Sequence, residues 1–299
     1  MLMEENRMQV KAVQQFQLAT VLKNEKLAQD TLRHMKESGY NGIELCGFML
    51  RKTSFLIRVL TKMAGMPIGR GGEMDWKRLI DDSGLCVVSI HEDLGTIERD
   101  IDLVIKETQM FGTEYVVITG MYRYDYGDEV KVHELAKRLN EAGRKLLQGG
   151  IHLLYHNHNC EFRKLKCGKT AYQLLMDETN PEYVNFEFDS YWAIEAGVIP
   201  LDIMKKLDTR MKLYHINDRG TRINGPSITP ILKSDSMELG YGNIDLIPLI
   251  EQAKKVNVKA VILEQHRNWI DKSPVRSFQI SSRFLNEHLK EVTKSERKY

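Results

Sequence analysis

Acidic and imidazole side chains recur at the ends of short apolar runs along this sequence. The four runs in its second half end on His156 with His158, Asp189, His215 with Asp218, and Glu264 with His266. A buried strand that ends on a carboxylate or an imidazole is costly unless that group has a partner or a metal ion. Four such endings in succession therefore indicate one shared site. Mixed oxygen and nitrogen ligands suit a divalent ion such as Mn²⁺, Co²⁺, Fe²⁺ or Zn²⁺.

These side chains need a scaffold that brings strand ends together. Eight strand-like runs alternate with segments of helical spacing, and most runs are continuously apolar, as in parallel strands covered by helices. The predicted strands are 16–19, 42–46, 86–91, 115–119, 152–157, 183–189, 212–217 and 260–265. This pattern predicts an α/β fold, a (β/α)₈ TIM barrel in a single domain over residues 1–299, with its site at the carboxyl ends of the strands. An open doubly wound sheet is the alternative, but no glycine-rich phosphate turn follows the first predicted strand.

Two connections are longer than a minimal barrel needs. Residues 49–72 follow the second predicted strand, and residues 219–242 follow the seventh. Because both insertions follow strands, we expect them beside the strand ends, where long loops usually cover a site. The other interpretation is a subunit contact, because the apolar stretch 55–63 would be an exposed hydrophobic patch if no partner covered it.

Charge and composition argue against several other classes. The formal net charge is only +2, so no basic surplus is available to bind nucleic acid or an anionic membrane. No stretch approaches the ~20 apolar residues of a membrane-spanning helix, and residues 1–14 lack the apolar core of a signal peptide. The four cysteines form no Cys-x-x-Cys pair. We therefore predict a cytoplasmic protein.

Six segments resemble one known family. Residues 155–162 (YHNHNCEF) resemble the YHNHDFEF strand end of the sugar phosphate isomerases/epimerases, which are xylose isomerase-like barrels. The other five segments are 39–45 (GYNGIEL), 188–192 (FDSYW), 213–218 (LYHIND), 239–245 (LGYGNID) and 262–265 (ILEQ). Together they span nearly the whole chain in the family's order, and they imply its barrel and its metal ion. They do not name the reaction, because this fold hosts isomerases, epimerases, dehydratases and lyases.

The resemblance also implies a set of metal ligands. The family usually holds its ion with a Glu, an Asp, a His and a Glu from the fifth to eighth strands, and the last three carry over to Asp189, His215 and Glu264. At the fifth strand this chain has His156 instead of the glutamate. We expect Glu161 to supply the missing carboxylate, with His156 or His158 as the alternative ligand. One divalent ion is expected, with Mn²⁺ as the first choice and Co²⁺, Fe²⁺, Zn²⁺ or Mg²⁺ as the others.

The histidine at the fifth strand bears on the mechanism. In the family's epimerases, two glutamates on the metal side pass a proton between the two faces of a substrate carbon. A neutral imidazole, with a pKa of about 6.5, is a good general base at neutral pH. We therefore assign proton transfer to His156 and His158, with the ion stabilising the enolate. Reprotonation of that enolate gives epimerisation or isomerisation, and loss of a leaving group gives elimination.

The histidine-rich fifth strand and the early insertion favour the eliminating branch of the family. That branch includes the inosose dehydratases and the α subunits of C-glycoside deglycosidases. The resemblance thus implies deglycosylation of a 3-keto C-glycoside, with keto-sugar epimerisation or isomerisation, or inosose-type dehydration, as the alternative. A deglycosidase would pair with a small β subunit, and a homo-oligomer is the other assembly considered.

Several more residues are predicted to contact the carbohydrate or to support its site. Trp192 would stack on a sugar ring or an aromatic aglycone, and His91 would bind hydroxyl groups unless it only caps its strand. Glu44 would support the site from behind or form a salt bridge with Arg51. Arg267 or Arg163 would bind a phosphate group, although the lack of a glycine-rich phosphate-binding turn disfavours a phosphorylated substrate. Asp218 would orient the histidine of the seventh strand.

Two functions from other classes are alternatives. A metal-dependent endonuclease acting at abasic sites shares this barrel, but it would need ligands for two or three ions and a basic face. The net charge of +2 argues against it. A non-catalytic scaffold would have no need of the complete series of strand-end ligands.

Overall fold

A closed barrel of parallel strands organises the chain. The structure is a computed structural model that describes residues 9–51, 73–121, 123–223 and 225–289. In this part of the chain eight strands close the barrel in the order β1-β10-β7-β6-β5-β4-β3-β2. These strands are β1 Val10–Gln14, β2 Gly42–Cys46, β3 Cys86–Glu92, β4 Tyr115–Thr119, β5 His152–His156, β6 Val184–Asp189, β7 Met211–Ile216 and β10 Ala260–Leu263. The predicted xylose isomerase-like (β/α)₈ architecture is confirmed.

Helices connect successive strands and cover the outside of the barrel. Those in the described ranges are α1 Glu25–Glu37, α2 Gly47–Leu50, α3 Trp76–Ser83, α4 Leu94–Arg99, α5 Ile101–Met110, α6 Glu129–Gln148, α7 Ala171–Glu178, α8 Ser190–Glu195, α9 Pro200–Leu207, α10 Ile247–Lys255 and α11 Pro274–His288. In α6, Val132, Leu135, Ala136 and Leu139 are buried at the three- and four-residue spacing that lays one helix face on the sheet. Asn24 caps α1 by accepting a hydrogen bond from the backbone N–H of Leu27.

The first predicted strand, 16–19, is wrong. Residues Gln15–Leu18 form a 3-10 helix, and the strand lies just before it, at Val10–Gln14. Val10 aligns with Ala260 of β10, and Ala12 aligns with Gly42 of β2, so this segment is paired on both sides. Backbone pairing that closes the barrel decides the assignment, and the polar residues of the segment hid it from a search for apolar runs.

The barrel interior is divided into two layers. Side chains two residues apart on a strand point to the same face, so each strand contributes in turn to both layers. Eight buried side chains near the amino ends of the strands form an apolar plug: Ala12, Val88, Tyr115, Val117, Leu154, Leu213, Ala260 and Ile262. Next along the same strands come His156 after Leu154, His215 after Leu213 and Glu264 after Ile262. The polar groups therefore form a layer directly above the apolar plug.

The two predicted insertions differ in what the structure describes. Residues 52–72 of the insertion 49–72 lie outside the described residues. The insertion 219–242 contains a short antiparallel pair, β8 Asp218–Gly220 with β9 Asp235–Met237. In the described part of the chain, no helix has both the length and the apolar character needed to cross a membrane.

Candidate metal centre at the mouth of the barrel

Four side chains from four successive barrel strands converge at the carboxyl ends of those strands. His156 ends β5, Asp189 ends β6, His215 lies on β7, and Glu264 follows β10. Each offers one ligand atom, these atoms lie within 4.8 Å of one another, and all four residues are buried. The Nδ1 atom of His215 is 2.8 Å from Oε2 of Glu264 and 3.9 Å from Oδ2 of Asp189. The structure therefore brings these four residues together as a mouth-side group.

The chemistry of the mouth-side group fits a divalent cation. Burial raises the pKa of Asp189 to about 7, and the charge of Glu264 adds to the rise although His156 and His215 oppose it. Burial also opposes ionisation of Glu264, but His266 and His215 hold the pKa of Glu264 well below its usual range. A cation bound between two buried carboxylates that repel each other would stabilise both of them in the ionised form. Two imidazole nitrogens and two carboxylate oxygens are a suitable donor set for a borderline ion.

A second group lies deeper in the barrel and shares two residues with the first. His91, His156, Glu187 and His215 also hold ligand atoms within 4.8 Å of one another among the described residues. Oε2 of Glu187 is 2.9 Å from Nδ1 of His156, 2.9 Å from Nε2 of His91 and 3.2 Å from Nε2 of His215. Oε2 of Glu44 is 2.7 Å from Nε2 of His215 and 3.0 Å from Nε2 of His91. Burial lowers the pKa of His91, but Glu44 and Glu187 raise it to about 10.

The substrate-sized space above these groups is a cavity of about 330 Å³. Its lining includes His91, His156, His158, Glu264 and His266, and its described part holds no lysine or arginine. The ring of His158 lies 5.1 Å from that of His156, centroid to centroid. Burial, and then the neighbouring His156, lower the pKa of His158 to about 3. His158 is therefore uncharged at neutral pH.

Aromatic rings form a continuous series beside this cavity. Successive ring centroids are 5.5 Å apart from His158 to Trp192, 5.8 Å from Trp192 to His266, and 6.4 Å from His266 to Phe16. Phe48, which is 47% exposed, continues the series at 5.9 Å from Phe16. His158, His266, Phe16 and Phe48 of this series line the cavity, and Trp192 lies between the rings of His158 and His266.

Glu161, the residue expected to complete the ligand set, lies in neither group of converging ligands. Its carboxylate accepts hydrogen bonds from the Tyr155 hydroxyl (2.9 Å), the His158 backbone N–H (3.0 Å) and the Cys160 thiol (3.2 Å). The chain turns away from the barrel axis after His156, and Glu161 stabilises that turn. His156 occupies the position that Glu161 was expected to take.

Two other predicted roles also differ from the geometry. The side chain of Arg267 is 61% exposed and pairs with Asp235 of β9 at 2.7 Å, and Arg267 is not among the described residues that line the cavity. Asp218 accepts backbone N–H groups from the loop that follows it, and among the described residues no hydrogen bond joins it to the seventh-strand histidine. Glu44 lies below the mouth-side group, as a supporting residue would, and His91 reaches both the deeper group and the cavity.

Three contributors were missed from the sequence. Glu187 precedes Asp189 by two residues on β6, so strand periodicity places both inside the barrel and could have identified it. Asn157 joins the ends of β5 and β6, because its side chain donates to the carbonyl of Asp189 and accepts from its N–H, both at 3.0 Å. The role of Phe16 beside the cavity was missed because the sequence places the first strand at 16–19, whereas the structure has it at Val10–Gln14.

A family comparison agrees with this architecture. Residues 32–288 match the family described as "Xylose isomerase-like TIM barrel". The chain belongs to this family. Within the family's barrel, this chain departs from the expected set of ligands at the fifth strand, where the structure has His156 in the mouth-side group.

Curated relatives of this xylose isomerase-like barrel match over part of their length. Inosose dehydratase 2 of Bacillus cereus is 32% identical over 97 residues, which cover 30% of this chain and 29% of the relative. An inosose dehydratase of Mesomycoplasma hyopneumoniae is 31% identical over 101 residues, or 33% of this chain and 32% of the relative. The chain thus matches about a third of these relatives.

Solved structures share the fold over nearly the whole barrel. A sugar phosphate isomerase/epimerase from Parabacteroides distasonis is 20% identical with a TM-score of 0.71, covering 93% of this chain and 94% of that one. A probable 3-DHS dehydratase from Bacillus anthracis is 14% identical with a TM-score of 0.65, covering 93% and 98%. A xylose isomerase-like protein from Mycobacterium smegmatis, solved with magnesium, is 14% identical with a TM-score of 0.65, covering 96% and 98%.

Proposed function

We propose that this protein is a divalent-metal-dependent carbohydrate enzyme that removes a proton next to the carbonyl of a keto-sugar and expels a leaving group. The observation that carries the proposal is the position of His158. Its uncharged imidazole faces the same cavity as His156 and Glu264, two members of the mouth-side group. A general base beside a Lewis acid is the arrangement that proton abstraction next to a carbonyl requires.

The proposed ligands are His156, Asp189, His215 and Glu264. Mn²⁺ is the proposed ion, and Co²⁺, Fe²⁺, Zn²⁺ and Mg²⁺ are the other candidates. When bound, the ion would polarise the substrate carbonyl and stabilise negative charge on its oxygen. Asn157 holds the Asp189 backbone in place, and so helps to keep the carboxylate aimed at the centre.

His158 performs the proton transfers in this proposal. Burial lowers the pKa of His158, so the ring is unprotonated at neutral pH and its lone pair is available to accept the proton on the carbon next to the carbonyl. The electrons of that C–H bond form a double bond as the bond to the leaving group breaks. The imidazolium formed in this step then donates the proton to the leaving group. The products are an unsaturated ketone and the protonated leaving group.

The cavity supports an uncharged carbohydrate ring as the substrate. Its described lining has no cationic side chain to hold a phosphate group. The aromatic series beside the cavity, which includes Trp192, Phe16 and Phe48, is proposed to provide ring faces on which the apolar face of a sugar or an aryl group would stack. The proposed leaving group is therefore the aglycone of a 3-keto glycoside, including a C-glycoside.

Inosose-type dehydration is the second candidate, with water as the leaving group. The relatives named inosose dehydratases favour it, although they match about a third of their length. Both candidates use the same proton abstraction, and they differ only in which bond to carbon is broken afterwards.

The protein is further proposed to work as an assembly, either with a small β subunit or as a homo-oligomer, and without nucleic acid or membrane. Exposed apolar side chains on the insertion 219–242 support an interface: Ile223, Ile228, Ile231 and Leu232. Its site of action is proposed to be the cytoplasm.

The test is a paired assay of the purified, manganese-loaded chain, alone and with any small protein encoded beside it. A 3-keto glycoside, an inosose and a panel of simple ketoses are offered in D₂O, and the products are followed by NMR. Aglycone release supports the deglycosidase proposal, and loss of water from the inosose supports the dehydratase. Deuterium uptake with epimer formation and no elimination contradicts both.

Two variants separate catalysis from damage to the fold. His158→Gln should lose elimination by roughly 10²–10⁴-fold, the usual contribution of a general base. His133→Gln changes an exposed histidine of α6 that pairs with Glu178, so it should retain activity. Full activity in His158→Gln would remove His158 from the mechanism.

A further inference from the structure

The imidazoles of His156 and His215 each belong to both the mouth-side group and the deeper group. His156 directs Nε2 toward Glu264, at 4.0 Å, and Nδ1 toward Glu187, at 2.9 Å. His215 has the opposite orientation, with Nδ1 2.8 Å from Glu264 and Nε2 2.7 Å from Glu44. One ring nitrogen of each histidine therefore faces the mouth, and the other faces the carboxylates below.

The deeper carboxylates decide which nitrogen carries the hydrogen. A neutral imidazole has one N–H donor and one lone pair, and an ionised carboxylate only accepts hydrogen bonds. Glu187 therefore favours hydrogen on Nδ1 of His156, whereas Glu44 favours hydrogen on Nε2 of His215. Each choice leaves a lone pair on the nitrogen that faces the mouth. Such carboxylate–histidine pairs fix the tautomer and the ring orientation of ligands.

Glu44 is itself anchored as an acceptor. Its Oε2 receives a hydrogen bond from the Gln14 side-chain amide at 3.0 Å, and its Oε1 receives one from the Ser89 hydroxyl. With Nε2 of His91 at 3.0 Å and Nε2 of His215 at 2.7 Å, four donors surround this carboxylate. A carboxylate so engaged can hold an imidazole firmly in one orientation.

A second ion in the deeper group is the alternative explanation of the same cluster. One observation favours it, because Oε1 of Glu187 is buried without a hydrogen-bond partner among the described residues. The shared histidines oppose it. If ions occupied both groups, His156 and His215 would have to lose the hydrogens from both ring nitrogens. Two bridging imidazolates beside two carboxylates would concentrate further negative charge in a buried site.

We propose that Glu187 and Glu44 are positioning residues that hold His156 and His215 in opposite tautomers, so that both mouth-facing lone pairs are directed at a single ion. This inference rests on the metal centre of the proposed function and is independent of the leaving group. Glu187 has the larger role because its Oε2 contacts both histidines, whereas Glu44 contacts only His215 of the two.

The first measurement is made on the unaltered, zinc-loaded chain labelled with ¹⁵N-histidine. Long-range ¹H–¹⁵N correlation spectra distinguish the two tautomers of a neutral imidazole. The expected result is hydrogen on Nδ1 of His156 and on Nε2 of His215, with one zinc per chain by elemental analysis. The same tautomer in both rings, two zinc ions per chain or no bound zinc would overturn the inference.

Variants provide a second measurement on zinc affinity. Glu187→Gln keeps the size of the side chain and removes its charge, and we expect the zinc Kd to rise roughly 10–100-fold, the usual effect of losing an outer-shell partner. Glu44→Gln should raise it less. The matched control is Glu238→Gln, a buried carboxylate that bonds to Ser277 and Arg222 instead of an imidazole, and its Kd should stay within about threefold.

These outcomes separate the inference from the proposed function. Opposite tautomers and weakened zinc binding in Glu187→Gln, together with no turnover of any keto-sugar, would contradict only the function. Turnover with identical tautomers, or with equal zinc affinity in Glu187→Gln and Glu238→Gln, would contradict only the inference. If Glu187→Gln does not fold, the ¹H–¹⁵N spectra of the unaltered chain still show whether His156 and His215 hold opposite tautomers, and so test the inference.

Discussion

Asp218 and the pair Asp189–Glu264 are buried carboxylates at the same end of the barrel, but they differ in the number of backbone N–H donors that surround them. Asp218 accepts backbone N–H groups from Arg219 at 2.8 Å, Gly242 at 2.9 Å, Gly240 at 3.0 Å and Ile244 at 3.2 Å. It thereby ties both ends of the insertion 219–242 together.

Asp189 receives one backbone N–H, from Trp192 at 3.2 Å, and faces a second carboxylate. Burial therefore does not distinguish a functional carboxylate from a structural one at this end of the barrel. What distinguishes them is whether the protein itself supplies the donors. A carboxylate saturated by backbone N–H donors stabilises the fold, whereas Asp189 and Glu264, which lie close to each other and to the imidazole of His215, are suited to bind a cation.

The largest expected effect is the loss of metal from Asp189→Ala. Removal of an outer-shell partner costs roughly 10–100-fold in metal affinity, so loss of a direct ligand should cost more than about 100-fold and abolish turnover. The fold should persist, as judged by circular dichroism. Elemental analysis after dialysis provides the test, and an unchanged metal content would remove Asp189 from the centre.

Asp218→Ala should act on stability instead. The substitution leaves four backbone N–H groups without their acceptor, and we expect a loss of about 3 kcal/mol in the free energy of unfolding. Urea denaturation measures this loss. The folded fraction should still bind one divalent ion. Loss of that ion without loss of stability would show that Asp218 serves the metal centre and does not stabilise the fold.

Asp189→Asn should stabilise the metal-free chain at high pH. The folded-state pKa of Asp189 is about 7 and its ordinary value is 3.8, so the unaltered chain loses stability as pH rises between these values. Asparagine cannot ionise and avoids this loss. We expect a gain of about 4 kcal/mol at pH 8 that disappears near pH 4. Denaturation in EDTA at both pH values tests this, and equal stabilities at pH 8 would show that the pKa of Asp189 is not raised in the folded chain.

Glu161→Gln should have the smallest effect on metal binding. Because its carboxylate bonds to Tyr155, His158 and Cys160 and not to the ligand group, the Kd for the ion should change by less than about threefold. A much weaker affinity, measured by isothermal titration, would restore Glu161 as the ligand that the sequence first suggested.

The sequence predicts the barrel well because seven of its strands carry apolar runs that end on polar side chains. Asp189, His215 and Glu264 were placed together because their strands are successive and parallel. The first strand was missed because VKAVQ is defined by pairing with two distant segments, which no local pattern records.

Side-chain direction limited the prediction of the site itself. Glu161 and His156 are five positions apart, and only the turn after β5 decides which of them reaches the barrel axis. Three of the four backbone hydrogen bonds to Asp218 come from Gly240, Gly242 and Ile244, more than 20 residues later in the chain, so its structural role is likewise invisible locally. Strand periodicity could have identified Glu187. It was missed because only the residues at the end of each strand were considered.

The apolar plug beneath the polar layer has a kinetic consequence. Ala12, Val117, Leu154, Leu213 and Ile262 fill the barrel below the polar layer, so within the described residues the cavity does not continue toward the amino ends of the strands. In the proposed reaction, substrate would therefore enter and products would leave at the carboxyl ends of the strands. The last product to leave would occupy the same cavity as the next substrate, so its inhibition would be competitive.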